Sequence, residues 1–210
     1  MRSRIQYTSG FTIVELLIVI VVIAILATLA IVSYANIQMR ARNTAMTVGV
    51  KSYISAIESY HALIGEYPTP PEGTDIHDFQ ACFGNNYLDG FCLTEDDGPG
   101  TVTSQPWFDS ALSQVVSSTQ PLPKYLRWNS SGNDLIAGAF YVYTKGEDHP
   151  YLDDAGLASA DALVVFYLGG NNPAMCKING GAEADVYLVG MSTDKDLTIC
   201  YVPLGEYAPL

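Results

Sequence analysis

Basic residues are scarce in this chain. Ten Lys and Arg stand against 22 Asp and Glu over 210 residues, a formal net charge of −12. From Pro68 onward only Lys124, Arg127, Lys145, Lys177 and Lys195 oppose 19 acidic residues. Such a surface is soluble and self-repelling, and it lacks the cations with which sequence-independent DNA binding neutralises phosphates. Direct nucleic-acid binding by this part of the chain is not expected. Histidine is sparse as well, with His61, His77 and His149 far apart. Neither these nor the four cysteines offer the close ligand pairs from which a tetrahedral zinc shell is built. GxSxG, the P-loop pattern and HExxH are all missing, as is any close His and carboxylate constellation for acid–base work. No enzyme and no cofactor are therefore expected.

One long apolar run dominates the first third. Leu16 to Ala35 reads LLIVIVVIAILATLAIVSYA, 20 residues without a charge. A helix rising about 1.5 Å per residue needs about 20 such residues to cross a hydrocarbon layer of about 30 Å. A membrane-spanning helix is expected. Arg2 and Arg4 form a basic tip like that of a secretory signal, but the run exceeds the roughly 7–15 residues of a signal core, and no small-x-small cleavage site closes it. Glu15 sits at the head of this run. An acidic side chain at the centre of a membrane helix costs about 2.5–3.5 kcal/mol, and such residues have a partner or a function. One reading lets the carboxylate snorkel to the headgroups. Another supplies a cation: a cut between Gly10 and Phe11 would place a new amino group on Phe11, one helical turn from Glu15.

The stretch MRSRIQYTSG followed by FTIVELLIVI resembles the class III leader and N-terminus of type IV pilins and their relatives, the pseudopilins of type II secretion and the competence pilins. The resemblance rests on the short basic leader, Gly10 before the scissile bond, Phe11 as first mature residue, Glu15 at the fifth mature position and the unbroken apolar helix. It implies a prepilin peptidase that cuts after Gly10 and N-methylates Phe11, and it implies that Glu15 pairs with the Phe11 amine of an adjacent subunit during assembly. Many pilins carry a helix-breaking proline about twenty residues into the mature chain, where this chain has Val32. Local melting of the helix in a filament is thus not forced here.

Beyond Ala35 the text turns amphipathic. Met46, Val50, Tyr53, Ile57, Tyr60 and Ile64 recur at spacings of 4, 3, 4, 3 and 4, one face of a helix. Gly65 supplies the stop and Pro68 follows. The stretch SYISAIESYHALIGEYPTP also resembles the end of the pilin helix. The expected organisation is a leader over 1–10, a transmembrane and filament-core helix over 11–35, an amphipathic helix over 36–66 and an exported head over 67–210. The head divides into an irregular connecting region, 67–137, with a short helix from Trp107, and an antiparallel sheet with a C-terminal loop, 138–210. Four β-rich runs build that sheet: GAFYVYT, ALVVFYLG, DVYLVGM and LTICYVP. The fold class is α+β, a long N-terminal helix packed against a C-terminal antiparallel sheet.

Cys82, Cys92, Cys176 and Cys200 all lie in the head. An even number in an exported domain indicates two disulfides, with three possible connectivities. Cys82–Cys92, closing a short loop, and Cys176–Cys200, tying a strand exit to the last strand, are favoured. Asp194 and Asp196 are a weak calcium candidate suggested by the resemblance to secretion pseudopilins. No Asp-x-Asp-x-Asp-Gly loop accompanies them, and a solvated turn is the plainer reading. Half of the head tyrosines are expected to pack on the sheet.

The expected function is that of a structural subunit, the major one, of a type IV pilus serving adhesion, motility or DNA uptake. A type II secretion pseudopilin and a non-assembling single-pass membrane-anchored binding protein are the alternatives. The expected partners are further copies of the chain in a helical filament, the prepilin peptidase, the assembly machinery and minor pilins, with the membrane as host before assembly. The chain would then sit N-in in the bacterial cytoplasmic membrane and end outside the cell. Arg40 and Arg42 beyond the span oppose that orientation bias.

Overall fold

From Ile13 to Val48 the chain contains neither glycine nor proline, so nothing interrupts the backbone ladder once a helix has started. In the computed structural model, which describes residues 12–75, 79–84, 91–93, 102–117, 122–128, 134–144, 160–177 and 197–205, helix α1 spans Ile13–Ile64. The chain falls into two units, Met1–Met39 and Arg40–Leu210, and α1 contributes to both. In the first unit, the stretch Ile13–Ala30 is long and apolar enough to cross a membrane, and its side chains are exposed throughout. The run of β-branched residues from Ile18 to Ile23 does not break the helix. In lipid, a helix satisfies every backbone group internally, which outweighs weak propensity. The one hydroxyl of this stretch, Thr28 Oγ1, donates to Ile25 O at 2.8 Å.

In the second unit, the remainder of α1 buries Asn43, Met46, Val50, Tyr53, Ile54, Ala56 and Ile57. These are i, i+3, i+4 and i+7 neighbours, an apolar stripe facing the sheet. The expected stripe ended differently: Tyr60 is half-buried and Ile64 is 45% exposed. The chain leaves the helix at Gly65, whose φ of 91° and N–H to His61 O at 2.8 Å form a left-handed cap. That turn folds Tyr67 and Pro68 back over the core in place of Ile64. The Tyr67 ring stacks on His61 at 4.3 Å, and the buried Tyr141 hydroxyl donates to Pro68 O at 2.9 Å.

The main sheet has the order β1-β6-β7-β8, with β1 at Gln80–Cys82, β6 at Ala139–Tyr143, β7 at Ala162–Gly169 and β8 at Leu197–Leu204, all antiparallel. Every residue of β7 is buried, as expected of a strand covered on both faces. Of the four expected runs, three became β6, β7 and β8. The fourth, DVYLVGM, lies outside the described residues. The fourth strand of the described sheet is β1, which comes from the connecting region.

That region was expected to be irregular, and here the structure differs. It also holds a second antiparallel sheet of order β3-β2-β5-β4, from Phe91–Leu93 (β2), Val102–Thr103 (β3), Tyr125–Trp128 (β4) and Asp134–Ala137 (β5). Strands of two to four residues are too short to show alternation in a sequence. The bridge Cys82–Cys92 joins β1 of the main sheet to β2 of the second. Helix α2, Pro106–Leu112, starts one residue before the expected Trp107, with proline at its first position. Its Phe108 continues a stack of rings: Tyr53 on Phe83 at 4.4 Å, Phe83 to Phe108 at 5.8 Å, Phe108 on Tyr141 at 4.9 Å. Through these rings the connecting region docks on both the helix and the sheet.

Candidate assembly site

The N-terminus of α1 is built by two side chains. Thr12 precedes the first helical residue, and Glu15 is the third residue of the helix. Thr12 Oγ1 accepts from the Glu15 amide at 3.2 Å. In return, Glu15 Oε2 accepts from the Thr12 amide at 2.9 Å and from the Thr12 hydroxyl at 2.8 Å. This is a reciprocal capping box, which satisfies donors that the first turn of a helix leaves without partners. The negative charge also faces the positive end of the helix dipole. Glu15 is the sole charge between Ile13 and Met39. Its carboxylate accordingly occupies the first turn, not mid-span, and one of its oxygens is engaged within its own chain. Among the described residues Oε1 accepts no hydrogen bond, so the carboxylate has an oxygen open to an outside cation.

Beyond this point the helix from Leu16 to Ala30 is apolar but for Thr28, and its side chains are exposed. Residues 6–31 match the model of the prokaryotic N-terminal methylation motif. The chain carries the class III leader signal of type IV pilins. Comparison with characterised proteins and with solved structures gives no significant match. The match covers 26 of the 210 residues and supports a prepilin-like N-terminus of the type IV pilin or pseudopilin type. It implies processing by a prepilin peptidase, and together with the apolar helix it supports anchoring in the membrane before assembly.

Gly10 and Phe11, the residues of the expected cut and methylation, lie outside the described residues, as do Asp194 and Asp196 of the weak calcium candidate. Thr12, which the structure brings to Glu15, did not figure among the expected site residues. The signal was present as Thr-x-x-Glu ahead of an apolar run. At Val32 the helix continues without a break. In the head, all four cysteines are buried and paired as favoured, Cys82 with Cys92 and Cys176 with Cys200. The second bridge ties the 3₁₀ turn Pro173–Cys176 to β8.

A buried amide holds the outer part of α1 to the sheet. Strand β7 outruns β6: their pairing ends at Phe166 opposite Ala139, and Tyr167 N still reaches Gly138 O at 3.1 Å. Two residues further, no strand among the described residues pairs with Gly169 on that edge. Asn43 supplies what is missing, its Nδ2 donating to Gly169 O at 2.9 Å and its Oδ1 accepting from Gly169 N at 2.9 Å. The side-chain amide thus acts as one more residue of the ladder. The turn beyond is fastened by Thr198 Oγ1, which accepts from Asn172 N at 2.8 Å and donates to Gly170 O at 2.6 Å.

Proposed function

We propose that the chain is a structural subunit, the major one, of a type IV pilus. The observation that carries this reading is the first turn of α1: a carboxylate, half-engaged by Thr12, heading an apolar helix whose side chains from Ile13 to Ala30 are exposed. The precursor waits in the cytoplasmic membrane with its head outside. A prepilin peptidase cuts between Gly10 and Phe11 and methylates the new amine. That amine, positive and one helical turn from Glu15, meets the open oxygen of a neighbouring copy. Pairing removes two charges that lipid would not tolerate, and burial of the apolar helices among further copies drives the subunit from bilayer to fibre. Minor pilins and the assembly machinery act on this process at the membrane. The head, held on the outer half of α1 and stapled by two disulfides, forms the fibre surface for adhesion, motility or DNA uptake. No catalysis is expected of it.

Glu15 has two duties in this reading, and they are separable. Gln at the third helical position preserves a capping box but carries no charge. In the sheared-fibre fraction, Glu15→Gln should lose assembly as fully as Glu15→Ala, with both proteins still inserted in the membrane. Normal fibres from Glu15→Gln would mean that the residue serves only as a cap, and the proposed pairing with Phe11 would fall.

A further inference from the structure

Two cations follow the apolar run, and the pairing of Glu15 with the Phe11 amine makes no use of them. Arg40 and Arg42 are the first charges after Glu15. Both are exposed, on α1 at the start of the second unit. Neither guanidinium pairs with a carboxylate among the described residues, although the chain holds 22 acidic residues against ten basic ones. Residues two apart on a helix differ by about 200°, so the two side chains stand on opposite sides of it. Their position matches a lipid headgroup layer. The 20 uncharged residues Leu16–Ala35 fill about 30 Å of hydrocarbon, and the headgroups add about 5–7 Å on each side. Arg40 and Arg42 follow Ala35 by five and seven residues, about 7 Å and about 10 Å of helix. Helical side chains lean towards the N-terminus, so both long stems carry their guanidiniums back into the phosphate layer. Tyr34, 63% exposed, falls at the boundary where a ring with a polar tip is favoured.

We infer that Arg40 and Arg42 form a binding site for anionic phospholipid headgroups, which fixes how deep the waiting subunit sits and is given up when the subunit is drawn into a fibre. The inference rests on the membrane stage of the proposed function and adds to it the lipid and the residues that hold it. A guanidinium presents a fork of donors that fits two phosphate oxygens at once. The charge of the head supplies the reason for such a site. With 19 acidic residues against five basic ones from Pro68 onward, the head is repelled by an anionic leaflet. Two cations on opposite sides of the helix offset that repulsion next to the end of the apolar run. Lys51 does not share the role. It follows Arg42 by nine residues, about 13 Å of helix, which exceeds the Debye length of about 8 Å at physiological salt.

The test compares four full-length proteins: wild type, Arg40→Gln/Arg42→Gln, Arg40→Lys/Arg42→Lys, and Lys51→Gln. Each is reconstituted at a high lipid-to-protein ratio in vesicles of equal parts phosphatidylcholine and phosphatidylglycerol. Electron paramagnetic resonance of trace spin-labelled phosphatidylglycerol and phosphatidylcholine reads which lipid each protein prefers beside it. The leader cations are the same in all four, so differences between them belong to the substituted residues. An arginine near an anionic surface is worth a preference of about fivefold. The paired Gln protein should lose most of the wild-type preference for phosphatidylglycerol, the paired Lys protein should keep most of it, and Lys51→Gln should match wild type. An unchanged preference in the paired Gln protein would overturn the inference, as would an equal loss in Lys51→Gln, the mark of diffuse charge rather than a site. Inorganic phosphate that cancels the wild-type preference where chloride of equal ionic strength does not would overturn it in favour of a free anion. A preference seen only at low lipid-to-protein ratio would overturn it in favour of neighbouring copies. Failure of the wild type to insert at all would remove the membrane stage beneath the inference, whereas insertion without any preference would remove the inference alone.

Discussion

Replacing Asn43 by Ala should loosen the head from its helix. Asn43 is 1% exposed and makes both hydrogen bonds of the Gly169 backbone on the edge where β6 has ended. The two groups do not suffer equally. Gly169 O keeps a second donor, Asn172 Nδ2 at 2.6 Å, whereas Gly169 N loses the Asn43 acceptor and stays buried. An orphaned buried donor costs about 1–3 kcal/mol, and the vacated amide volume adds to that. A loss of about 2–3 kcal/mol follows, which for a unit the size of Arg40–Leu210 lowers the melting temperature by about 4–12 °C. Purified mature protein in detergent, followed by tryptophan fluorescence on heating, gives this number. Asn43→Asp supplies a control with a sign. It keeps the acceptor for Gly169 N but turns an oxygen towards Gly169 O and buries a charge, so its folded-state pKa is raised. Its deficit should be large at neutral pH and shrink as acid protonates the carboxyl. An Asn43→Ala protein within about 0.5 kcal/mol of wild type, below the cost of any orphaned buried donor, would refute the reasoning.

Burial pushes the Tyr141 hydroxyl well above the ordinary tyrosine value of 10.0, and Tyr67 and Tyr143 are raised for the same leading reason. A raised folded-state pKa gives stability that is complete below the unfolded value and lost above it, so the head should hold level to about pH 9 and weaken beyond pH 10. Tyr141→Phe should flatten that alkaline fall while costing about 1 kcal/mol near neutrality for the bond to Pro68 O. The disulfides span 10 and 24 positions, so loss of the Cys176–Cys200 pair should cost about 3.4 kcal/mol and loss of Cys82–Cys92 about 2.7 kcal/mol through freed chain entropy. Denaturant melts of the paired Cys→Ala proteins check both the values and their order. A Cβ on Gly49 would lie 2.0 Å from Leu122 Cδ2. Gly49→Ala should therefore forfeit the helix-propensity gain of about 1 kcal/mol, and recover it in a Leu122→Ala background.

The stripe from Met46 to Ile57 is legible by its helical spacing, and the apolar span and the strands β6, β7 and β8 as apolar runs whose lengths separate a membrane helix from strands. The disulfide pairing is legible from loop length and placement. Asn43 is not, since an asparagine on a helix gives no hint that a strand 126 positions later will end one partner short. The second sheet escapes for a related reason: pairs such as Leu93 with Ala137 are made between segments of three and four residues and are fixed by tertiary packing, not by local pattern. Thr12 is a different case. Its spacing to Glu15 is the capping-box pattern, but a charge ahead of a membrane span draws attention to its cost in lipid and away from its neighbour three residues back.

On this reading the chain is cut after Gly10 and polymerises through the helix that the cut exposes. Mass spectrometry of the N-terminus of protein sheared from the cell surface tests it most directly. A chain beginning at N-methylated Phe11 is expected as the main component of a high-molecular-weight fibre. An uncut chain beginning at Met1 and confined to the membrane would contradict it.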